Sequence, residues 1–355
     1  TIILGFYSVV AGWCLQYLYA SVVGQLNGDS AYVSNYFATF SGSVAMPIVW
    51  GLVFILLTYL VVIRGVRNGI EKASKLFMPI LFVLLLIIVI ASCLLPGAGR
   101  GIEFLFKPDF SKVDGGVFLS ALGQAFFSLS LGTACLCTYA SYFGKQTNLV
   151  RSASQIALID SMIAILAGLM IFPAAFSVGV SPDSGPSLIF ITLPSVFQQA
   201  FAAVPMVGYV ISILFYALLA LAAITSTISM HEIGTVFFHE QLKLSRKSAA
   251  AIVTVVAAII CVFCSLSVGA CDGLQLFGMS LMDFFDFLTA QIMLPVGALL
   301  TCVYVGWVAP RKVVQHEFTN GCNARSILFT VYLFAARFVC PVCIILIFLN
   351  QFGVI

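Results

Sequence analysis

The chain has 355 residues, of which 62% are hydrophobic and only 8% charged. No water-soluble domain has an interior large enough for that much apolar surface, so the composition points to a membrane-embedded protein. The net charge of +3 is too small to suggest nucleic acid, and no glycine-rich phosphate loop or Ser-His-Asp set suggests an enzyme.

A window of about 20 residues predicts nine membrane spans. They run roughly over 2–24, 44–63, 75–95, 118–143, 150–178, 206–239, 248–268, 274–308 and 325–351. A further apolar stretch, Leu188 to Phe201, is too short to cross and follows Gly185-Pro186, so it reads as a re-entrant or lid segment. The fourth span carries Gln124, Ser128, Ser130 and Gly132. The sixth carries Thr225-Ser226-Thr227 after Ala222-Ala223, with Glu232 just beyond. Hydroxyls at one depth of a span suit a small hard cation, which wants oxygen ligands. Both spans are expected to be interrupted there, as in ion-coupled transporters. The competing account is that such hydroxyls bond back to the preceding turn.

Basic residues orient the spans. Arg64, Arg67, Lys72, Lys75, Lys145, Arg151, Lys243, Arg246, Lys247, Arg311, Lys312 and Arg325 fall on one side, against Arg100, Lys107 and Lys112 on the other; Arg337 lies within the last span. The first side is cytoplasmic by the positive-inside rule, which puts Thr1 inside and Ile355 outside. Cys261/Cys264 and Cys340/Cys343 have CxxC spacing, but with no His or Asp nearby they read as packing sulfur. Glu232 reads as an interhelical hydrogen-bond partner rather than a proton carrier.

Several strings carry a resemblance: Tyr7-(x5)-Trp13, Gly65-Val66-Arg67-Asn68-Gly69-Ile70-Glu71, Pro108-Asp109-Phe110, the run Gly123 to Gly132, Thr138-Tyr139-Ala140-Ser141-Tyr142, Phe190-Ile191-Thr192-Leu193-Pro194, Ile224-Thr225-Ser226 and Leu242 to Lys247. In collinear order over essentially the whole chain, they resemble the neurotransmitter:sodium symporter family, closest to its bacterial sodium-dependent amino-acid transporters. The resemblance implies an all-α, leucine-transporter-like inverted-repeat fold. Residues 1–95 would be the remainder of the first repeat, 118–308 the second, and 325–351 an additional span, all within one transporter domain. Tyr7 falls in what resembles the family's third span, so the chain is expected to hold spans three to eleven and to lack the first two.

The same resemblance implies site residues. Sodium would be held by the Ala222 carbonyl, Thr225 and Ser226, and a second cation site would use Ser128 and Asp160. Substrate would meet Ile3, Tyr7, Phe127, Ser130, Thr133, Ser226 and Met230, with Tyr7 on its carboxylate and Phe127 as an aromatic lid. Gln124, Tyr142, Glu240 and Asp286 match gating residues, Asp286 in preference to Asp283. The Asp160 carboxylate supplies negative charge where animal relatives have Asn and a bound chloride, and Ala164 offers no hydroxyl to an anion; chloride independence is therefore expected. The expected function is sodium-coupled import of a hydrophobic or aromatic amino acid across the inner membrane. The partners are sodium, the amino acid and the bilayer, with a homodimer as a candidate assembly. A non-transporting membrane receptor with the same fold is the alternative.

Overall fold

The protein is described by a computed structural model covering residues 1–26, 28, 30–144, 147–179, 188–269, 273–319 and 327–352. It opens with α1 (Ile2–Val23), α2 (Ser30–Ser41) and α3 (Ala45–Val62). A π-turn at Val66–Ile70 leads into α4 (Glu71–Cys93), followed by α5 (Ala98–Phe106). Next come α6 (Gly115–Ser128), α7 (Cys135–Ala140) and α8 (Leu149–Ser177). A π segment, Leu188–Thr192, runs into α9 (Leu193–Ala200), then α10 (Pro205–Gln241) and α11 (Arg246–Gly269). A small hairpin of β1 (Gln275–Leu276) and β2 (Met279–Ser280) leads to α12 (Leu281–Asp286). π segments at Phe287–Met293 and Tyr304–Val308 flank α13 (Leu294–Val303). The chain continues through α14 (Arg311–Phe318) and α15 (Ile327–Phe334), then a π segment at Ala335–Val339 and α16 (Cys340–Gln351).

Among the described residues, eight helices are long and apolar enough to cross a membrane, counting each π segment with the helix it continues. They match eight of the nine predicted spans. The remaining one, 118–143, is divided between α6 and α7 at the expected break. The span predicted at 274–308 begins instead at Leu281, because Phe277 and Gly278, at φ 55° and 79°, turn the hairpin ahead of it. Segments 25–43 and 96–117, expected as loops, contain α2 and α5, whose mixed polar and apolar sequences fall below the hydropathy of a span. The interruption expected in the sixth span is absent: α10 is one helix of 37 residues. Its hydroxyls bond to carbonyls three or four residues back, which leaves the backbone ladder intact. Gly185-Pro186, Lys145 and Arg325 lie outside the described residues.

The chain packs as two units, Thr1–Pro108 with Ala164–Phe285, and Asp109–Ile163 with Asp286–Ile355. In the first, α1 lies against α3, α10 and α11. The approach of α1 to α3 depends on glycine, since a Cβ on Gly12 would stand 2.5 Å from the Gly51 backbone nitrogen. Hydroxyl pairs fix the register: Thr58 with Thr227 at 2.9 Å ties α3 to α10, and Ser21 with Ser212 at 3.3 Å ties α1 to α10. The short apolar stretch folds into this unit as well. Phe190 packs on Trp13, Phe37 and Tyr17, Phe197 is fully buried against Phe215, and the Tyr216 hydroxyl donates to the Ile189 carbonyl at 2.8 Å. Cys261 and Cys264 are fully buried in α11.

In the second unit, α13 and α6 both lie against α16. The Asp114 side chain caps the start of α6 by accepting from the Val117 N–H at 2.9 Å.

Placing a methyl at the α1–α3 crossing gives a direct test. Gly12→Ala in the full-length protein is expected to lower stability by ~1–3 kcal/mol, because the obstructing atoms are backbone and cannot rotate away. An unchanged thermal midpoint in detergent would contradict the close approach.

Candidate functional site

Helical spacing aligns the first set of predicted residues. On α10, Ala222, Thr225, Ser226, Ser229 and Met230 fall at offsets of three and four and are all partly accessible, whereas Ala223, Thr227, Ile228 and His231 are buried. The accessible stripe carries the oxygens. The Ala222 carbonyl accepts from Thr225 Oγ1 at 2.8 Å and from Ser226 Oγ at 3.2 Å, so three oxygens converge at one level. The Tyr7 side chain of α1 lies against the Ser226 side chain. Tyr7 also packs on the small core of Ala11, Phe54 and Ala223. Ile3 is one turn away on the same helix and partly accessible. The first unit therefore brings together Ala222, Thr225, Ser226 and Tyr7, with Ile3 and Met230 on the same accessible faces of their helices. Glu240 is exposed at the end of α10, in a cleft with His239 and Lys243.

In the second unit, the break between α6 and α7 presents the remaining groups. Ser130, Gly132 and Ala134 all take left-handed backbone, at φ 53°, 84° and 62°. Gly132 must be glycine for a further reason, since a Cβ there would lie 2.2 Å from the Leu294 carbonyl oxygen of α13. Ser128, the last residue of α6, donates to both carboxylate oxygens of Asp160 at 2.9 and 2.8 Å. Phe127 is 60% exposed, so its ring is not consumed in core packing. Thr133 is turned inward to its own backbone: its hydroxyl donates to the Ser130 carbonyl at 2.8 Å and accepts from the Cys135 N–H at 3.2 Å. Gln124 lies on α6 and Tyr142 follows α7, both exposed. Asp286 ends α12, exposed. Asp283, its neighbour on that helix, is engaged locally, accepting from the Ser280 hydroxyl at 2.7 Å while its N–H donates back to Ser280 Oγ at 3.1 Å.

Glu232 is the interhelical hydrogen-bond partner that the sequence suggests, with a partner that the sequence does not name. Glu232, fully buried, forms a bidentate ion pair with Arg246 of α11, at 3.1 and 2.5 Å. The same guanidinium donates to the Val62 carbonyl at the end of α3, at 3.1 Å. One arginine thus joins three helices and satisfies a helix-terminal carbonyl. The signal in the sequence is an acid in an apolar run with a base shortly after the following turn. Beside the pair, His231 Nδ1 and Nε2 meet the hydroxyls of Thr235 and Thr254 at 3.0 and 2.9 Å.

A bundle of long apolar helices, one of them broken, with oxygens converging inside apolar spans, has the construction of a polytopic secondary transporter. Comparison with known proteins agrees. The sequence profile of the Sodium:neurotransmitter symporter family matches residues 32–354. The chain is 38% identical to the sodium-dependent transporter YhdH of Bacillus subtilis, covering 100% of this chain and 78% of that protein. It is 33% identical to a sodium-dependent transporter of Haemophilus influenzae, over 98% of this chain and 76% of that one. Among solved structures it resembles MhsT in complex with L-phenylalanine, with a TM-score of 0.86 and 36% identity over 98% of this chain and 78% of that one. The chain belongs to the sodium:neurotransmitter symporter family. It is a multi-pass membrane protein of leucine-transporter-like fold and a sodium-dependent symporter, not an enzyme.

The buried ion pair yields a double-variant test. Glu232→Ala leaves Arg246 without its buried partner and is expected to destabilise the protein by roughly 3–5 kcal/mol. The apolar pair Glu232→Leu with Arg246→Met should recover most of that loss. A single variant as stable as the parent would show that the pair is not coupled.

Proposed function

We propose that this transporter imports a hydrophobic or aromatic amino acid across the inner membrane, driven by sodium and without chloride. The observation that carries the reading is the convergence of the Ala222 carbonyl, Thr225 Oγ1 and Ser226 Oγ, with the Tyr7 hydroxyl against Ser226. Dehydrated sodium needs several oxygen ligands, and this face of α10 supplies three without burying a charge. The hydroxyls' hydrogen bonds to Ala222 hold their oxygens beside that carbonyl, and a bound cation would meet the lone pairs of those oxygens, the hydroxyls keeping their protons. Tyr7, beside Ser226, is assigned to the substrate carboxylate, which couples the anionic end of the amino acid to the ion. Ile3 and Met230 are assigned to its side chain, and apolar, adaptable groups there favour a large apolar substrate. MhsT is solved in complex with L-phenylalanine, in keeping with that choice.

In the second unit, Ser128 and Asp160 are assigned to a second sodium ion, since three oxygens and a formal negative charge meet there. Phe127, Ser130 and Thr133 are assigned to substrate contact, Thr133 through its methyl because its hydroxyl is engaged by backbone. Gln124, Tyr142, Glu240 and Asp286 are assigned to gating. A fixed carboxylate at the ion offsets the positive charge that chloride offsets in other transporters, and this removes the need for the anion.

Two measurements on the full-length protein test these assignments. Thr225→Ala with Ser226→Ala is expected to weaken the sodium dependence of uptake by about tenfold or more, given ~1.5–3 kcal/mol for each lost contact to a charged group. Unaltered sodium dependence would remove the site from α10. Uptake in gluconate should equal uptake in chloride at the same sodium concentration, and Asp160→Asn should make the protein chloride-dependent or inactive. A parent protein that stalls in gluconate would overturn the role given to Asp160.

A further inference from the structure

The second unit contains a cavity that the transport reading does not use. It has a volume of about 540 Å³ and is lined by Leu149 and Val150 of α8, Val313, Val314 and Phe318 of α14, and Tyr332 of α15, among others. This volume lies in the range of small-molecule sites. Its place in the fold is informative. The lining starts at the first residues of α8, takes in α14 immediately after the span that ends at Val308, and reaches Tyr332 in the first part of the span Ile327–Gln351. All three positions are on the side where basic residues concentrate, so the cavity opens at the inner-leaflet boundary.

The wall is built to stay open and to carry charge at its edge. Phe318 stacks on Tyr332 with ring centroids 4.8 Å apart and contacts Phe329 at 5.6 Å, which docks α14 against α15. Arg311, which directly follows the lining residue Pro310, lies 6.0 Å from the centroid of the Phe329 ring, a cation–π contact that anchors its guanidinium. Lys312 follows it, and Arg151 directly follows the lining residue Val150; all three are exposed. The acid of the lining, Glu317, is exposed and faces His316 at 3.9 Å. The polar lining group Ser154 is turned to the Val150 carbonyl at 3.0 Å. Val313, by contrast, leaves 56% of its surface uncovered.

An apolar cavity at leaflet depth with cations on its rim matches one kind of molecule. We infer that it holds a phospholipid with an anionic head group, one acyl chain lying against Val313, Val314 and Phe318 and the phosphate meeting Arg311 and Lys312. The short amphipathic α14 follows a span directly and turns its apolar residues into the cavity, as interfacial helices do toward acyl chains. Basic pockets between spans on the cytoplasmic side attract anionic head groups for the same electrostatic reason. A soluble anion would use the cations and leave the apolar wall wet, whereas a neutral lipid would use the wall and ignore the cations.

The test places the full-length transporter in phosphatidylcholine nanodiscs with trace phosphatidylglycerol carrying a photoreactive acyl chain. Labelling is expected to concentrate in residues 304–318 and 149–154, and to be competed by phosphatidylglycerol but not by phosphatidylcholine or free glycerol phosphate. Arg311→Gln with Lys312→Gln, at two exposed positions, is expected to weaken that competition about tenfold or more, at roughly fivefold for each basic side chain near an anionic head group. Val314→Trp, which fills the cavity, should abolish labelling of these segments. Label spread evenly over all spans, equal competition by phosphatidylcholine, or full competition retained in the charge variant would each overturn the inference. Absence of label here with another segment of the full-length protein cross-linked at α14 would do so too.

Discussion

How closely helices approach decides what the first unit can do. With α1 and α3 in contact at Gly12 and Gly51, α1 lies deep enough for Tyr7 to reach Ser226 on α10. Within lipid there is no hydrophobic drive for helices to associate, so association rests on van der Waals contact at short range and on interhelical hydrogen bonds. This unit uses both. Small residues permit the contact, and the Thr58–Thr227 and Ser21–Ser212 pairs fix the sliding register, without which the oxygens of α10 would fall at another depth.

The two oxygen clusters solve the same problem in different ways. On α10 the helix stays whole, and its side chains supplement a carbonyl already engaged in the ladder. Between α6 and α7 the helix gives way, and three left-handed residues leave backbone groups outside the ladder. Bare backbone is tolerated in a membrane only when it is packed against protein or faces water. The contact of Gly132 with the Leu294 carbonyl shows such packing on one side of the break. A whole helix holds its side-chain oxygens stiffly, whereas a broken one exposes backbone dipoles.

Composition and hydropathy made the span pattern legible, and the collinear motifs made the family legible. What sequence could not resolve was decided by local geometry. The hydroxyls at Thr225–Thr227 resemble a break, yet back-bonding keeps α10 continuous, and no composition rule separates these outcomes. The break at Ser130–Gly132 is legible because Ser128, Ser130 and Gly132 alternate with leucine inside an apolar run. That the Thr133 hydroxyl is engaged by Ser130 and Cys135, leaving its methyl free, is likewise a matter of local geometry. The Glu232–Arg246 pair joins separate helices, and hydropathy carries no information about which charge meets which. Helices α2 and α5 are too short and too polar to read as spans, and the Ser, Asn and Gly within them read as turn residues.

The central claim is that bound sodium does thermodynamic work on the substrate, and accumulation measures this directly. The full-length protein, reconstituted in proteoliposomes, should concentrate labelled phenylalanine above its external level under an inward sodium gradient. Gramicidin, by collapsing that gradient, should release the excess. Sodium-dependent binding that never exceeds equilibration across the membrane, with or without gramicidin, would contradict the account and leave a receptor in its place.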